Sequence, residues 1–461
     1  MTSRTAPLPP GGFTLTLRLA PLGAFRGSLL TCRGTAGEYA IDLVRTGEAP
    51  DELRCIVRGA PDRPACKLVA PLGAIDPAEP HELILRHTGY RIDLFVDGVL
   101  LDEDWPVGHF PPATGPLQPA AVIRSLEILP GVGEVTADAA RADRYLGPAR
   151  PIGQGWKPRG HNVHLGDCMP LFHAGRFHLY YLRDRRQHAS MGGCGGHQWA
   201  HLSTTDLRHW EEHPLALAID AAAAGSICTG SVFHHAGTYH AFHSLRMADG
   251  SPAPLCVATS RDAVHFGPRR AFATLPEPYD RGATRDPVVF ADAAGVGFHL
   301  LATAARRDPD GRMRGCLAHL TSPDLQTWDR REPFLVLDEP TQPECPDYFT
   351  WRGWHYLVFS LHGLARYRKS RQPLGPWETP ANDRLDPTDA RVMKTAAFTG
   401  DRRLGAAFLP AGKGWGGTLC LRELEQLPDG SLVTRWPAEL PPAPAIQPYA
   451  SPACSMPEIA D

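Results

Sequence analysis

Five stretches of this chain repeat one pattern in the same direction: an apolar strand, a turn containing Gly, and a second strand rich in aromatics. They begin at Met169 (MPLFHAGRFHLYYL), Ser231 (SVFHHAGTYHAFHSL), Pro287 (PVVFADAAGVGFHLLAT), Pro346 (PDYFTWRGWHYLVFS) and Ala396 (AAFTGDRRLGAAFLP), so successive copies stand 50 to 62 residues apart. A four-stranded blade of short strands and turns needs about that much chain. Five such units point to a five-bladed β-propeller over residues 159–445. Three copies have a carboxylate one or two residues ahead of them: Asp167 in Gly-Asp-Cys-Met-Pro, Asp286 in Arg-Asp-Pro, and Glu344 in Pro-Glu-Cys-Pro-Asp. The first strand of a blade lines the central channel. Three acids at equivalent places on three blades are therefore expected to converge on the axis.

The region before the repeats reads differently. From Phe13 to about Pro130 it alternates apolar and polar residues in short runs such as FTLTLRL, ELRCIVRG and ELILRH. That period of two indicates sheets with one buried face, and a β-sandwich over residues 1–135 follows. The run RIDLFVDGVLLDEDWP resembles the strand-turn-strand signature of concanavalin A-like and laminin G-like sandwiches, which include both sugar binders and purely structural modules. Residues 136–158 carry small residues, Gly and Pro without periodicity and read as a linker with one short helix around Ala137 to Tyr145. A Pro-rich tail covers 446–461. The fold class expected is all-β, an N-terminal sandwich followed by a propeller.

Charge excludes some functions. The 47 basic and 50 acidic residues leave a formal net of -3, without the basic excess a nucleic-acid or anionic-membrane binder would show. The N-terminal stretch lacks the apolar run of a secretory signal, and no later stretch reaches the length of a membrane span. A cytoplasmic protein is expected, with a homo-oligomer left open. The 11 cysteines are scattered without C-x-x-C or finger-like spacing, which reads as free buried thiols and no metal framework.

A second period lies later in the blades. It reads [ST]-x-D-x-x-x-[WF], at Thr204, Asp206, Trp210, at Ser260, Asp262, Phe266, and at Ser322, Asp324, Trp328. These residues are expected to form turns with an aromatic packed between blades, so their Asp residues are poor catalytic candidates. The converging trio is a different matter. Paired carboxylates are what glycoside cleavage needs: one ionised to attack or stabilise the anomeric carbon, one protonated to donate to the leaving oxygen. Crowding raises the proton affinity of one member, and the longer Glu344 is the natural donor.

At these residues the chain resembles glycoside hydrolase family 32, the invertase, inulinase and levanase group. The resemblance runs over about residues 160–440 and is carried by RDP at 285–287, EC at 344–345, TGS at 229–231, WAHLSTTDLRHW from Trp199, and WGGTLCLREL from Trp415. It implies a retaining, exo-acting hydrolase of β-fructofuranosides or related furanosides. Asp167 would be the nucleophile, Glu344 the acid/base, and Asp286 the group that grips sugar hydroxyls and stabilises the transition state. Trp199 and Ser231 would line the sugar site and Arg285 would help to hold it, with a small oligosaccharide as substrate and no metal or organic cofactor. His164, Asp184 and His188 stand beside the motifs and are further substrate-binding candidates read from the residues alone. Two positions depart from the family pattern: Gly166 replaces an Asn, and Leu182 replaces a sugar-binding Gln. Such losses alter specificity more readily than they abolish chemistry. Glycosyl transfer, arabinoside cleavage and a catalytically silent sugar-binding protein are the alternatives.

Overall fold

The computed structural model describes every residue except 1–7, 10–11, 34–39, 47–50, 59–63, 73–74, 107–114, 221–224, 413 and 441–461. The Pro-rich tail lies outside the described residues.

Two antiparallel five-stranded sheets form the N-terminal sandwich. One runs in the order Ile123–Pro130, Phe13–Leu19, His81–His87, Ile92–Val96, Val99–Asp104, and the other in the order Cys66–Pro71, Glu52–Arg58, Ala40–Arg45, Gly27–Arg33, Gln118–Pro119. The alternation read in the sequence is what closes it. Leu15, Leu17, Leu83 and Leu94 of the first sheet meet Leu30, Leu53, Val57 and Leu68 of the second in one core, while intervening residues such as Arg18 and Lys67 face outward. The short helix spans Ala139–Leu146 and starts where Asp138 accepts the Arg141 amide at 3.0 Å, an N-cap in the usual sense.

The C-terminal part is a five-bladed propeller. Its inner strands are Val163–His173, Gly225–His235, Arg285–Ala291, Glu344–Trp351 and Arg391–Phe398, each neighbouring the next around a ring. Blade 4 has three regular strands, and its outer edge is made by the bridges Arg366 to Arg384 and Lys369 to Glu378. Separate apolar clusters fill the spaces between blades. The ring is closed by residues 154–156 of the expected linker, which bond to strand Gly417–Gln426 of the last blade through Gly155, Trp156 and Gln154. The repeated polar turns hold as read: Asp206, Asp262 and Asp324 each accept two backbone amides of their own turn. Trp210, Phe266 and Trp328 then meet Phe177, Tyr180 and Phe242 edge-on.

One irregularity recurs in all five inner strands. Pairing with the second strand slips after Leu165, Ile227, Arg285, Glu344 and Arg391, and resumes at Cys168, Gly230, Val288, Asp347 and Lys394. Two residues therefore face one in each blade, a β-bulge that turns a side chain out of the sheet's alternation. Asp286, Cys345 and Val392, the first bulged residues of blades 3, 4 and 5, have φ of 54°, 50° and 52°. Left-handed backbone at non-Gly residues costs of order 1–3 kcal/mol each and is kept where surrounding structure enforces it.

Candidate active site

The three acids come from the bulge, and this corrects their expected placement ahead of the strands. Glu344 is the residue before the bulge in blade 4, Asp286 is the first bulged residue of blade 3, and Asp167 is the second of blade 1. They are three successive register positions, not one. The bulge breaks the alternation, so in the sequence each strand looks as if it began two to six residues late.

Asp167 is buried, and its two oxygens differ. Oδ2 accepts Thr229 Oγ1 at 2.6 Å and Cys345 Sγ at 3.5 Å, whereas Oδ1 is buried without a hydrogen-bond partner. Burial pushes its proton affinity up, to a pKa of about 7, and the charges of Asp286 and Glu344 add to the effect. For Asp167 removal from water, which disfavours the charged form, outweighs the like charges of Asp286 and Glu344.

Arg285 organises the other two acids. Its Nη2 donates to Glu344 Oε1 at 2.7 Å, its Nε lies 3.6 Å from Asp286 Oδ2, and its Nη1 donates to the Ala283 carbonyl. Asp286 Oδ2 also accepts Thr303 Oγ1 and the Cys345 amide, both at 3.1 Å. Cys345 therefore ties Asp286 to Asp167, through its amide on one side and its thiol on the other.

The remaining candidates divide into two groups. Asp184 is fully buried, and its Oδ1 accepts the His188 amide at 2.8 Å and His197 Nε2 at 3.1 Å, leaving Oδ2 without a partner. His188 bonds Arg246 through Nε2, and burial lowers both His164 and His188 to about 4, so each is neutral at physiological pH. His164 pairs with Asp184 across the strands, and its Nδ1 is buried without a partner. Trp199 stands behind the site instead: it is fully buried, and its indole N–H donates to the carbonyl of Cys228, the first bulged residue of blade 2. Ser231 lies past the bulge, where it accepts the Val289 amide and lines a cavity of about 180 Å³ with Asp347 and Lys394. Lys394 Nζ plugs the axis there, donating to the carbonyls of Gly230 and Pro346 at 2.9 and 2.8 Å.

Trp415 was not among the sequence candidates, although it opens a stretch that carries the family resemblance. Its ring stacks on His197 with centroids 4.6 Å apart and covers Gly166, where an added Cβ would stand 2.1 Å from the indole. The space of the Asn side chain missing at 166 is taken by Trp415. Leu182, the other departure, is buried in an apolar cluster with Met169 and Trp199. Among the described residues no group of His, Cys, Asp or Glu is arranged to hold a metal ion.

Comparison with known proteins fits this geometry. Residues 168–382 match the family model of the glycosyl hydrolases family 32 N-terminal domain. The sucrose-6-phosphate hydrolase of Escherichia coli is 29% identical over 206 residues, 41% of this chain and 39% of that protein. The raffinose invertase of Escherichia coli is 26% identical over 216 residues, 42% and 40% of the two chains. The chain thus spans about two fifths of the length of these relatives. Among solved structures, fructan 1-exohydrolase IIa from Cichorium intybus superposes with a TM-score of 0.52 at 19% identity, over 63% of this chain and 60% of that one. The family 32 β-fructofuranosidase of Bombyx mori gives 0.50 at 18%, over 63% and 65%. At these identities the structures speak for the fold alone. The propeller of this chain is family 32-like, and its match is to that family's N-terminal domain.

Proposed function

We propose that this protein is a retaining, exo-acting glycoside hydrolase of short β-fructofuranosides. The observation that carries the reading is the convergence of carboxylates from three blades: Cys345 ties Asp167 to Asp286, and Arg285 ties Asp286 to Glu344. A carboxylate fixed through one oxygen, as Asp167 is by Thr229, attacks an electrophilic carbon with the other. In the first step the Asp167 oxygen forms a bond to the anomeric carbon as the glycosidic C–O bond breaks. The electron pair stays on the leaving oxygen, which takes a proton from Glu344. In the second step Glu344 takes a proton from water, whose oxygen displaces Asp167 and returns the configuration to the starting one. Asp286, held by Thr303 and the Cys345 amide, is positioned to accept sugar hydroxyls and to offset positive charge on the ring in the transition state. Asp184, His164 and His188 are the polar groups we assign to the rim of the sugar site.

The reading is supported by the curated relatives, whose names are sucrose-6-phosphate hydrolase and raffinose invertase. Among the described residues Cys32, Cys168, Cys228, Cys256, Cys316, Cys345 and Cys420 are free thiols, which suits a reducing compartment, and we place the protein in the cytoplasm. A panel of sucrose, raffinose, inulin, levan and aryl glycosides, with product analysis, tests the proposal. Release of fructose by the wild type, reduced about a thousandfold or more in Asp167→Asn and in Glu344→Gln, is the expected result. Sugar binding without release, equal in wild type and Asp167→Asn, would show a sugar-binding protein instead.

A further inference from the structure

The segment between Arg185 and Trp199 contains an unusual concentration of left-handed backbone. Arg186, Gln187, His188 and Met191 have φ of 56°, 52°, 76° and 53°, and Gly192, Gly193, Gly195 and Gly196 are positive as well. Side chains other than Gly disfavour this region, so such a loop keeps its shape only if something outside it holds it. Its inner face carries His188 and His197, which meet Asp184 and Trp415 at the rim of the acid pocket.

Its outer face is held by the sandwich. Strand Val99–Asp104 ends in three successive acids. Arg186 donates to Asp102 Oδ2 at 2.6 Å and to Asp104 Oδ2 at 2.9 Å, and Asp104 Oδ1 accepts the Met191 amide at 2.9 Å. Glu103 takes Arg185 at 3.1 Å, and Asp102 Oδ1 accepts Asn162 Nδ2 at 2.9 Å. Trp105 then leaves the sandwich and packs in a propeller cluster with Met169, Leu182, Met191 and Trp199. A Cβ on Gly196 would stand 2.9 Å from the Trp105 ring, so only Gly, at φ 57°, lets the two meet. Two of the four strained non-Gly residues, Arg186 and Met191, are thus fixed by sandwich acids.

We propose that the N-terminal sandwich is a positioning element of the active site: Asp104 and Trp105 hold the 186–197 loop in the shape that presents His188 and His197 to the substrate. Neither residue touches the reacting atoms, so both are positioning residues. The inference deepens the hydrolase reading and rests on it for its kinetic part.

Trp105 allows a clean test, because its indole nitrogen is buried without a partner and Phe can replace the ring without removing a hydrogen bond. Wild type, Trp105→Ala, Trp105→Phe and Asp104→Ala are compared by amide hydrogen exchange. Exchange across 188–197 should speed up about tenfold or more in both Ala variants, with the strands of the sandwich and propeller still protected, and return towards the wild-type rate in Trp105→Phe. On the fructoside that the wild type cleaves, KM should rise about tenfold in the Ala variants while kcat falls less than about threefold, since the acids stay in place. Unchanged exchange across 188–197 in Trp105→Ala or in Asp104→Ala would overturn the proposal. So would a loosened loop with unchanged KM. The exchange measurement needs no turnover, so a protein that cleaves no fructoside would sink the hydrolase reading while the bracing was still decided by exchange. If Trp105→Ala fails to fold, Asp104→Ala carries the same comparison at the Met191 amide.

Discussion

Asp167 and Glu344 sit within two register positions of each other in the same bulge of two blades, yet they are treated in opposite ways. Asp167 is surrounded by a hydroxyl, a thiol and the Gly166–Trp415 contact, with no cation bonded to it among the described residues. Glu344 is partly open to solvent and held by the Arg285 guanidinium at 2.7 Å. One repeated backbone feature thus supplies two carboxylates, and their surroundings rather than their backbone give each its character. The proposed cleavage needs Asp167 ionised and Glu344 protonated, whereas burial favours the proton on Asp167, so the acid side of the rate profile tests the assignment.

The largest expected effect lies on the buried side. A carboxyl raised from 3.8 to about 7 on folding binds more protons in the native state than in the unfolded one between those values. Its favourable contribution is complete below about pH 4 and is lost as pH rises through about 7. Near pH 8 that amounts to about 4 kcal/mol, at 1.36 kcal/mol per pH unit. Asp167→Asn should therefore be more stable than wild type at pH 8 and indistinguishable from it near pH 4, read from denaturant midpoints. In the proposed mechanism the same group governs the rate. Since attack needs the ionised form, kcat/KM should fall towards acid with an apparent pKa near 7, and a profile flat from pH 5 to 8 would contradict the burial argument.

On the open side the comparison can be broken through Arg285. Arg285→Met removes the only cation bonded to Glu344 among the described residues. It should lower kcat/KM about a hundredfold, close to 3 kcal/mol, in steady-state assays. Arg285→Lys should recover little of this, because an ammonium cannot span Glu344 and Asp286 as the planar fork does. A change of less than about twofold in the Met variant would mean that the two acids are not distinguished by this ion pair.

The smallest effect sharpens the apolar side. Gly166→Asn puts atoms within the Trp415 indole and should cost about 2 kcal/mol of stability. Adding Trp415→Ala should return part of it, which a thermal melt of the single and double variants would reveal. If Gly166→Asn were neutral, Trp415 would be free to move and the enclosure of Asp167 would be looser than the packing indicates.

Much of the architecture is legible in the sequence. The repeats from Met169 to Ala396 predict five blades because strands, turn glycines and inter-blade aromatics recur with the blade, and the alternation from Phe13 predicts a sandwich. The acids are legible as a set for the same reason. Their exact register is not, because a bulge adds one residue without changing residue type. Trp199 and Ser231 illustrate the limit. Both sit in motifs next to the site, yet Trp199 supports the blade 2 bulge from behind, and Ser231 faces the plugged end of the channel. His197 and Trp415 give no joint signal in the sequence because 218 residues separate them and only packing makes them neighbours.

By itself, then, the sequence determined the classes of element, their number and the three carboxylates, since these depend on local periodicity and residue type. Tertiary structure alone decided which acid is buried and which is paired, what fills the space beside Gly166, and that Asp104 and Trp105 of the sandwich support a loop at the pocket. Those outcomes depend on exclusion of water and on contacts between residues far apart in the chain, and neither is written in the spacing of a single strand.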